Sequence, residues 1–416
     1  MSGDFEMVNP IDVNGKWALI SIFEGNEQNL YVWLSYDTGE IRFTVWNSIP
    51  EELYVRRPIT RAYTGNYSVS DSLPCSKTLI YGPAAGGLGE AGAFKISTCG
   101  ERINALAPYL VFKRRNLGAL VINKKVSEAL VYVERFVGQF SVSYASLFSV
   151  LSSEPDEGCV NYMTMAMELE RVHNHIWVMH KLAGDASQKV ASAHLAAMTE
   201  ELLRINQRVL GHRYGMGFLR HGPGEYPNFH RRIGNIHQEF TDLSEELLDS
   251  RIFVDRLHTT CTLNRDDALK NDLGGIPARA AGIARDARKI GIFREIYGWH
   301  HPKLEGDGDA LARLMVRVQE VEESLSYLES AEWGKCRIEP RDGFKYGVVE
   351  APPGDAFMAV SVEDGIVREF MLRPASLPLY HAFSVGIVGN VFTDFPFALD
   401  SFGAYFADAG SHGRWL

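Results

Sequence analysis

The sequence predicts an α+β fold, a long-helix bundle with β elements, and three observations carry the prediction. Aromatic and β-branched runs separated by polar turns fill the N-terminal part. Apolar residues then recur at three- and four-residue spacing from about 126 to 331. Strand-like runs return over 337–374. The chain has 416 residues, 46% of them hydrophobic and 23% charged, enough for a large core and too apolar for wholesale disorder.

In chain order, 17–22 and 30–34 read as strands, 36–40 as a turn, and 41–46 as a third strand. Residues 1–72 thus form an N-terminal β extension, and 73–416 the main domain. Hairpins continue over 77–125, with a strand from Ala93 and a turn at Cys99–Arg102. Helices are expected over 126–152, 160–183, 186–212, 235–258 and 309–331. Glu363-Asp364-Gly365 is a hairpin turn within the last β segment. There is no internal repeat and no low-complexity stretch.

Charge and cysteine usage narrow the function. A net charge of −10 argues against nucleic acid as a partner, and the basic clusters Lys113-Arg114-Arg115 and Arg231-Arg232 are short enough to be solvated faces. The five cysteines, Cys75, Cys99, Cys159, Cys261 and Cys336, lie far apart at no metal-ligand spacing. Their odd number does not suggest a disulfide framework, so a reducing cytoplasm is expected. The N-terminus has no basic-then-apolar signal pattern, and no run of about 18 apolar residues would span a bilayer.

Most local motifs are weak. Gly87-Leu88-Gly89-Glu90-Ala91-Gly92 matches a dinucleotide fingerprint, but a strand pattern follows where a helix is required, so a glycine-rich turn is the better reading. His173 and His175 point to different faces of a helix, and the adjacent His300 and His301 cannot easily chelate together. On the helix around Met165–His175, Glu170 shares a face with Asn174, and Arg171 shares one with His175. Met163, Met167, Val178 and Leu182 supply an apolar stripe. Those polar groups form either a buried hydrogen-bonded network or a solvated face.

Two further segments, Val133-Glu134-Arg135-Phe136-Val137-Gly138-Gln139-Phe140 and Leu399-Asp400-Ser401-Phe402-Gly403-Ala404-Tyr405, resemble the two signatures of [NiFe]-hydrogenase large subunits, Glu-Arg-Ile-Cys-Gly-Ile-Cys and Asp-Pro-Cys-x-x-Cys. Other matches follow in order. They are Gly82-Pro83 with Leu88 and Glu90, Gly275–Ile283 with Asp286 and Arg288, Gly347–Asp355, and Arg373-Pro374-Ala375-Ser376. With the Glu-Arg-x-x-Asn-His-like helix at Glu170, Arg171, Asn174 and His175, they cover about residues 77–410. They resemble the group 4 hydrogenase large subunits and the 49 kDa quinone-site subunit of complex I, which implies that fold.

The departures are as informative. The four metal-binding cysteines of the hydrogenases fall on Val137, Phe140, Phe402 and Tyr405, none of which can ligate nickel or iron as a thiolate does. A hydrogenase histidine falls at Tyr144 and the overhanging arginine at Pro353. The complex I histidine and tyrosine that hold the quinone fall at Ala85 and Gly138. Glu90, Glu170, Arg171, Asp286, Arg288, Glu350 and Asp400 survive as a candidate proton or charge network, whose alternative use is structural ion pairing.

The resemblance therefore implies a metal-free large-subunit homologue with no cofactor of its own, in a membrane-bound, complex I-like assembly related to the energy-converting hydrogenases. It would sit peripherally on the cytoplasmic face of the membrane. Its implied partners are a small iron–sulfur subunit carrying a [4Fe-4S] cluster, complex I-like soluble subunits and antiporter-like membrane subunits. Its task would be to couple an event near that cluster to ion translocation. The alternatives are an oxidoreductase subunit reducing a quinone or other acceptor in a remodelled cavity, and a structural assembly subunit. Hydrogenase activity is not expected, and whether the chain is an enzyme at all stays open.

Overall fold

A computed structural model of the chain describes residues 17–24, 29–46, 74–86, 88–271 and 273–411. Much of the expected N-terminal extension over 1–72, and Gly87 of the glycine-rich turn, lie outside these.

Antiparallel strands come first: β1 (Trp17–Glu24), β2 (Asn29–Ser35) and β3 (Ile41–Trp46), then β4 (Lys77–Tyr81), β5 (Ala93–Cys99) and β6 (Arg102–Tyr109). Residues after the glycine-rich turn enter β5 rather than a helix, so that turn lacks the context a pyrophosphate site requires. Helices α1 (Leu117–Val121) and α2 (Val126–Val133) lead to the first signature, after which α3 (Ser141–Ser152) begins. The single helix expected over 126–152 is therefore interrupted. Side chains from elsewhere take the carbonyls of the interruption: Arg115 donates to Arg135 O and Phe136 O, Ser141 to Glu134 O, and Asn174 to Gln139 O. Backbone groups satisfied in this way no longer need a helix.

Strand β7 (Ser153–Pro155) precedes the two longest helices, α4 (Glu157–Asp185) and α5 (Lys189–Val209). Asp156 caps α4 by accepting from Cys159 N at 2.9 Å. The next helices are α6 (Phe218–His221), α7 (Phe229–Asp249), α8 (Arg251–Leu257), α9 (Arg265–Lys270) and α10 (Gly275–Ala280). The helix expected over 235–258 starts earlier and breaks at Ser250, whose backbone is extended. Helix α11 (Ala310–Leu328) is capped by Asp309, which accepts from Ala312 N at 2.8 Å. Strand β8 (Ile338–Pro340) pairs with β7. Strands β9 (Gly343–Ala351), β10 (Gly354–Glu363) and β11 (Ile366–Arg373) form an antiparallel sheet. Helices α12 (Ser376–Gly386), α13 (Phe395–Asp400) and α14 (Phe406–Ala409) close the chain.

The β9–β11 sheet is covered on both faces, so its strands read as nearly continuous apolar runs rather than an alternation. Val348, Phe357, Ala359 and Met371 pack against the β1–β3 sheet with Phe23 and Phe43. The alternate residues Val349, Met358, Val360 and Leu372 join the main helical core. Helices α4, α5 and α11 form the centre of that core. Among the described residues no helix is long and apolar enough to cross a membrane.

Two cysteine pairs depart from expectation. Cys75 is disulfide-bonded to Cys99 and Cys159 to Cys336, leaving Cys261 free and buried. Spacing could not show this, because one bond joins residues 177 apart, brought together where the start of α4 meets the segment before β8.

Candidate functional site

A close backbone crossing sets the frame of the site. Gly275, at the start of α10, has φ +69°, and a Cβ there would lie 2.4 Å from Gly354 Cα at the start of β10. Only glycine permits this approach. It brings α10 against the end of β9, so that Arg279 reaches Glu350.

Around that contact lies a buried network of charged side chains. Arg279 donates to Glu350 Oε1 at 2.9 Å and to Glu320 Oε1 at 2.6 Å, and its Nη1 lies 3.1 Å from Asp286. Arg288 donates to Asp286 Oδ2 at 2.7 Å and to Glu320 Oε1 at 2.9 Å. Arg171 donates to Glu168 Oε1 at 3.2 Å and to Glu350 O at 2.8 Å. Glu168 also accepts from the Tyr297 hydroxyl at 2.7 Å and from Ser324 Oγ at 2.6 Å. His175 Nε2 lies 3.0 Å from Glu320 Oε2. His300 links the network outward, with Nε2 2.9 Å from Asp286 and Nδ1 2.7 Å from the half-buried Glu323.

The electrostatics follow from this packing. Burial opposes ionisation of Asp286, Glu320 and Glu168, but the guanidinium groups around them outweigh it. Asp286 and Glu320 are held well below the usual carboxylate range, and Glu168 below its ordinary value. Glu350 is pushed up to about 7 by burial and by the charge of Asp286, against the pull of Arg279. His175 is pushed down to about 4 by burial, so it donates Nε2–H as a neutral imidazole.

Of the seven retained charged residues, Arg171, Asp286, Arg288 and Glu350 meet here. The other three have separate partners. Asp400 pairs with Lys181 at 2.6 Å, and Glu90 accepts from Ala407 N at 2.9 Å. Glu170 accepts from Val142 N at 2.7 Å and Ser143 N at 3.0 Å, capping α3 directly after the first signature. Glu168, Arg279, Glu320 and His300 complete the network; none was among the candidate charges, although Arg279 falls within the matched Gly275–Ile283 segment and His300 was weighed as a metal ligand. Their signal is charge on helix faces, which resembles a solvated stripe until the packing is known.

Burial outweighs the donors around Glu170 and pushes it up to about 7. A carboxyl with a raised folded pKa favours folding below its unfolded value, and that advantage is lost as pH rises through about 7. Glu170→Gln keeps one acceptor and cannot ionise. Its thermal midpoint, relative to wild type, should therefore rise between about pH 5 and 7.5. A pH-independent difference between the two proteins would remove the cap's titration from the account.

The four positions that hold metal in hydrogenases are placed as follows. Val137 and Phe140 are buried in the main core. The Phe140 ring meets the Tyr405 ring edge to face, with centroids 5.4 Å apart. Phe402 is buried in the adjoining cluster, beside Phe383 and beneath the guanidinium of Arg313 at 4.3 Å. Tyr144 donates to Asp408 Oδ1 at 2.6 Å and accepts from Ala375 N at 3.0 Å, tying α3 to the C-terminal segment. This donor set does not fit a nickel–iron centre, since no thiolate stands at any of the four positions. Among the described residues no group of three or more His, Cys, Asp or Glu could hold a metal ion. Beside Tyr405 opens a cavity of about 290 Å³, lined among others by Gln139, His173, Asn174, Trp177 and Tyr214.

Fold and site together define a hydrogenase large-subunit/49 kDa scaffold with a buried ionic core and without the thiolate set. Residues 193–336 match the family model of the respiratory-chain NADH dehydrogenase 49 Kd subunit. An NADH-quinone oxidoreductase subunit of Geobacillus thermodenitrificans (strain NG80-2) is 25% identical over 288 residues, covering 64% of this chain and 76% of the relative. The NADH-ubiquinone oxidoreductase 49 kDa subunit of Reclinomonas americana is 24% identical over 336 residues, covering 75% and 79%. A chain of the membrane-bound sulfane sulfur reductase, an archaeal respiratory membrane complex, superimposes with a TM-score of 0.73 at 19% identity. It covers 83% of this chain and is itself covered completely. Over these spans the chain is similar to the complex I 49 kDa subunit family.

Proposed function

We propose that this chain is the metal-free, 49 kDa-like subunit of a membrane-bound respiratory assembly. It sits peripherally on the cytoplasmic face, against a small subunit that carries a [4Fe-4S] cluster. Its role is to couple an event near that cluster to ion movement in antiporter-like membrane subunits. The observation that carries this reading is the buried network around Glu320 and Asp286, which extends through His300 to the half-buried Glu323. Such a network gives a charge change a connected path of titratable and polar groups. Structural ion pairing remains its competing use.

The cavity beside Tyr405 favours a second reading, in which a quinone or another acceptor is reduced there. Affinity purification of the tagged chain from its own host, in detergent, tests the first. A cysteine-rich small subunit and membrane subunits should co-purify in fixed ratio, because obligate interfaces of this kind bury roughly 2,000–5,000 Å². A stable, monodisperse monomer would count against it. Recovery of the assembly with acceptor reduction but without ion uptake into vesicles would favour the second.

A further inference from the structure

Asn174 on α4 is buried and lines the cavity beside Tyr405, and its amide is held in one orientation. Nδ2 donates to Gln139 O at 2.7 Å and to Glu170 O at 2.9 Å, and lies 3.2 Å from His173 Nε2. Carbonyls only accept, so the amide cannot be turned over. His173 Nδ1 lies 3.0 Å from Leu169 O and therefore carries the imidazole proton. Burial holds the ring down at about 4, so Nε2 presents a lone pair to Nδ2. The donors of Asn174 are thus spent inside the protein, while Oδ1 accepts no hydrogen bond among the described residues. A buried acceptor in that state calls for a donor from whatever fills the space beside it.

The rest of the lining narrows what that occupant is. Its walls are aromatic: Trp177, Tyr405 with Phe140 against its ring, and Tyr214, which meets the His173 ring edge to face at 6.1 Å. The charged residues of the lining, Arg213 and Glu200, bond to each other at 3.2 and 2.5 Å, so the lining carries no unpaired charge. Arg204, the other partner of Glu200, is exposed and lies outside the lining. A charged ligand would lose its hydration here without gaining a counter-charge. Gln139 sits beside Asn174 with no hydrogen bond to its side-chain amide, which offers both a donor and an acceptor. The volume, about 290 Å³, is at the small end of ligand cavities, roughly 300–1,000 Å³, and suits one or two rings.

We propose that this cavity binds a flat, uncharged, lactam-type heterocycle of one or two rings. Its ring N–H donates to Asn174 Oδ1, its neighbouring carbonyl accepts from the Gln139 amide, and its faces pack among the aromatic walls. The assignment rests on the lining alone and holds whether or not an acceptor is reduced there. A quinone has acceptors only and would leave Asn174 Oδ1 without a donor. Nucleobases and pterins share the required edge.

Lumazine, a fluorescent two-ring lactam that is uncharged at mildly acidic pH, is the probe, titrated into the full chain. It should bind at one saturable site. Its analogue methylated at both N–H positions should bind at least about tenfold more weakly, because Oδ1 is then unmatched. A dimethylnaphthoquinone of the same size should be weaker by a similar factor. Gln139→Leu keeps the backbone carbonyl that holds Asn174 and removes the amide, so it should weaken lumazine about tenfold. Ala196→Trp, from the α5 wall, fills the space and should abolish binding while the variant still unfolds cooperatively. Should that variant fail to fold, the methylated analogue and the naphthoquinone still decide. Thymine against lumazine separates the two sources: tighter binding of either names a base or a pterin and supports the shared edge. No lumazine binding, equal affinity for its methylated analogue, tighter binding of the naphthoquinone, or binding that survives in folded Ala196→Trp would overturn the proposal.

Discussion

Replacing Glu320 with Ala is expected to cost about 3–5 kcal/mol of stability, because it strips a counter-charge from several buried cations at once. Glu320 accepts from Arg279 and Arg288 and contacts His175, and Arg171 Nη1 lies 3.7 Å away. None of those groups can turn to water, since all are buried. Denaturant unfolding of the purified chain measures the loss. A surface ion pair, by contrast, contributes about 0–1 kcal/mol, so a loss in that range would mean the network is hydrated. The double variant Glu320→Ala/Arg279→Met should recover part of the loss, because it removes one stranded cation together with the anion.

Phe140→Ala should cost a similar amount, about 3–5 kcal/mol, for a different reason. The ring is fully buried at the hinge between the first signature and α3 and packs edge to face on Tyr405. Truncation would leave a cavity between the two signatures that the rigid ends of α3 and α4 cannot close. Isothermal denaturation of the variant gives the value. A loss below about 1 kcal/mol would show that the site collapses or is already open to solvent.

Much of the architecture was legible in the sequence because its signals are periodic. Helices α4, α5 and α11 and the β9–β11 sheet fall close to their expected spans. Opposite placements of His173 and His175 were also legible: the first lines the cavity beside Tyr405, and the second turns to Glu320 on α11. The break at 134–140 was not, since it depends on distant donors such as Arg115 and Asn174. The grouping of the retained charges was legible only in part. Glu170 and Arg171 are adjacent, yet one caps α3 and the other enters the ionic network, because neighbouring helical residues point about 100° apart. Arg313, Arg317 and Glu320 stand at four- and three-residue spacing on α11, a pattern equally suited to water. Only the packing of α4 and the 401–405 loop against that face shows it to be interior.

The central proposal is that this chain holds no nickel–iron centre of its own, because none of the four matching positions carries a thiolate. Elemental analysis of the chain isolated from its host, by inductively coupled plasma mass spectrometry against quantitative amino-acid analysis, tests this most directly. The account predicts no stoichiometric nickel or iron on the separated chain, with iron confined to the fraction that holds the cysteine-rich partner. About one nickel per chain, retained through gel filtration in chelator, would contradict it.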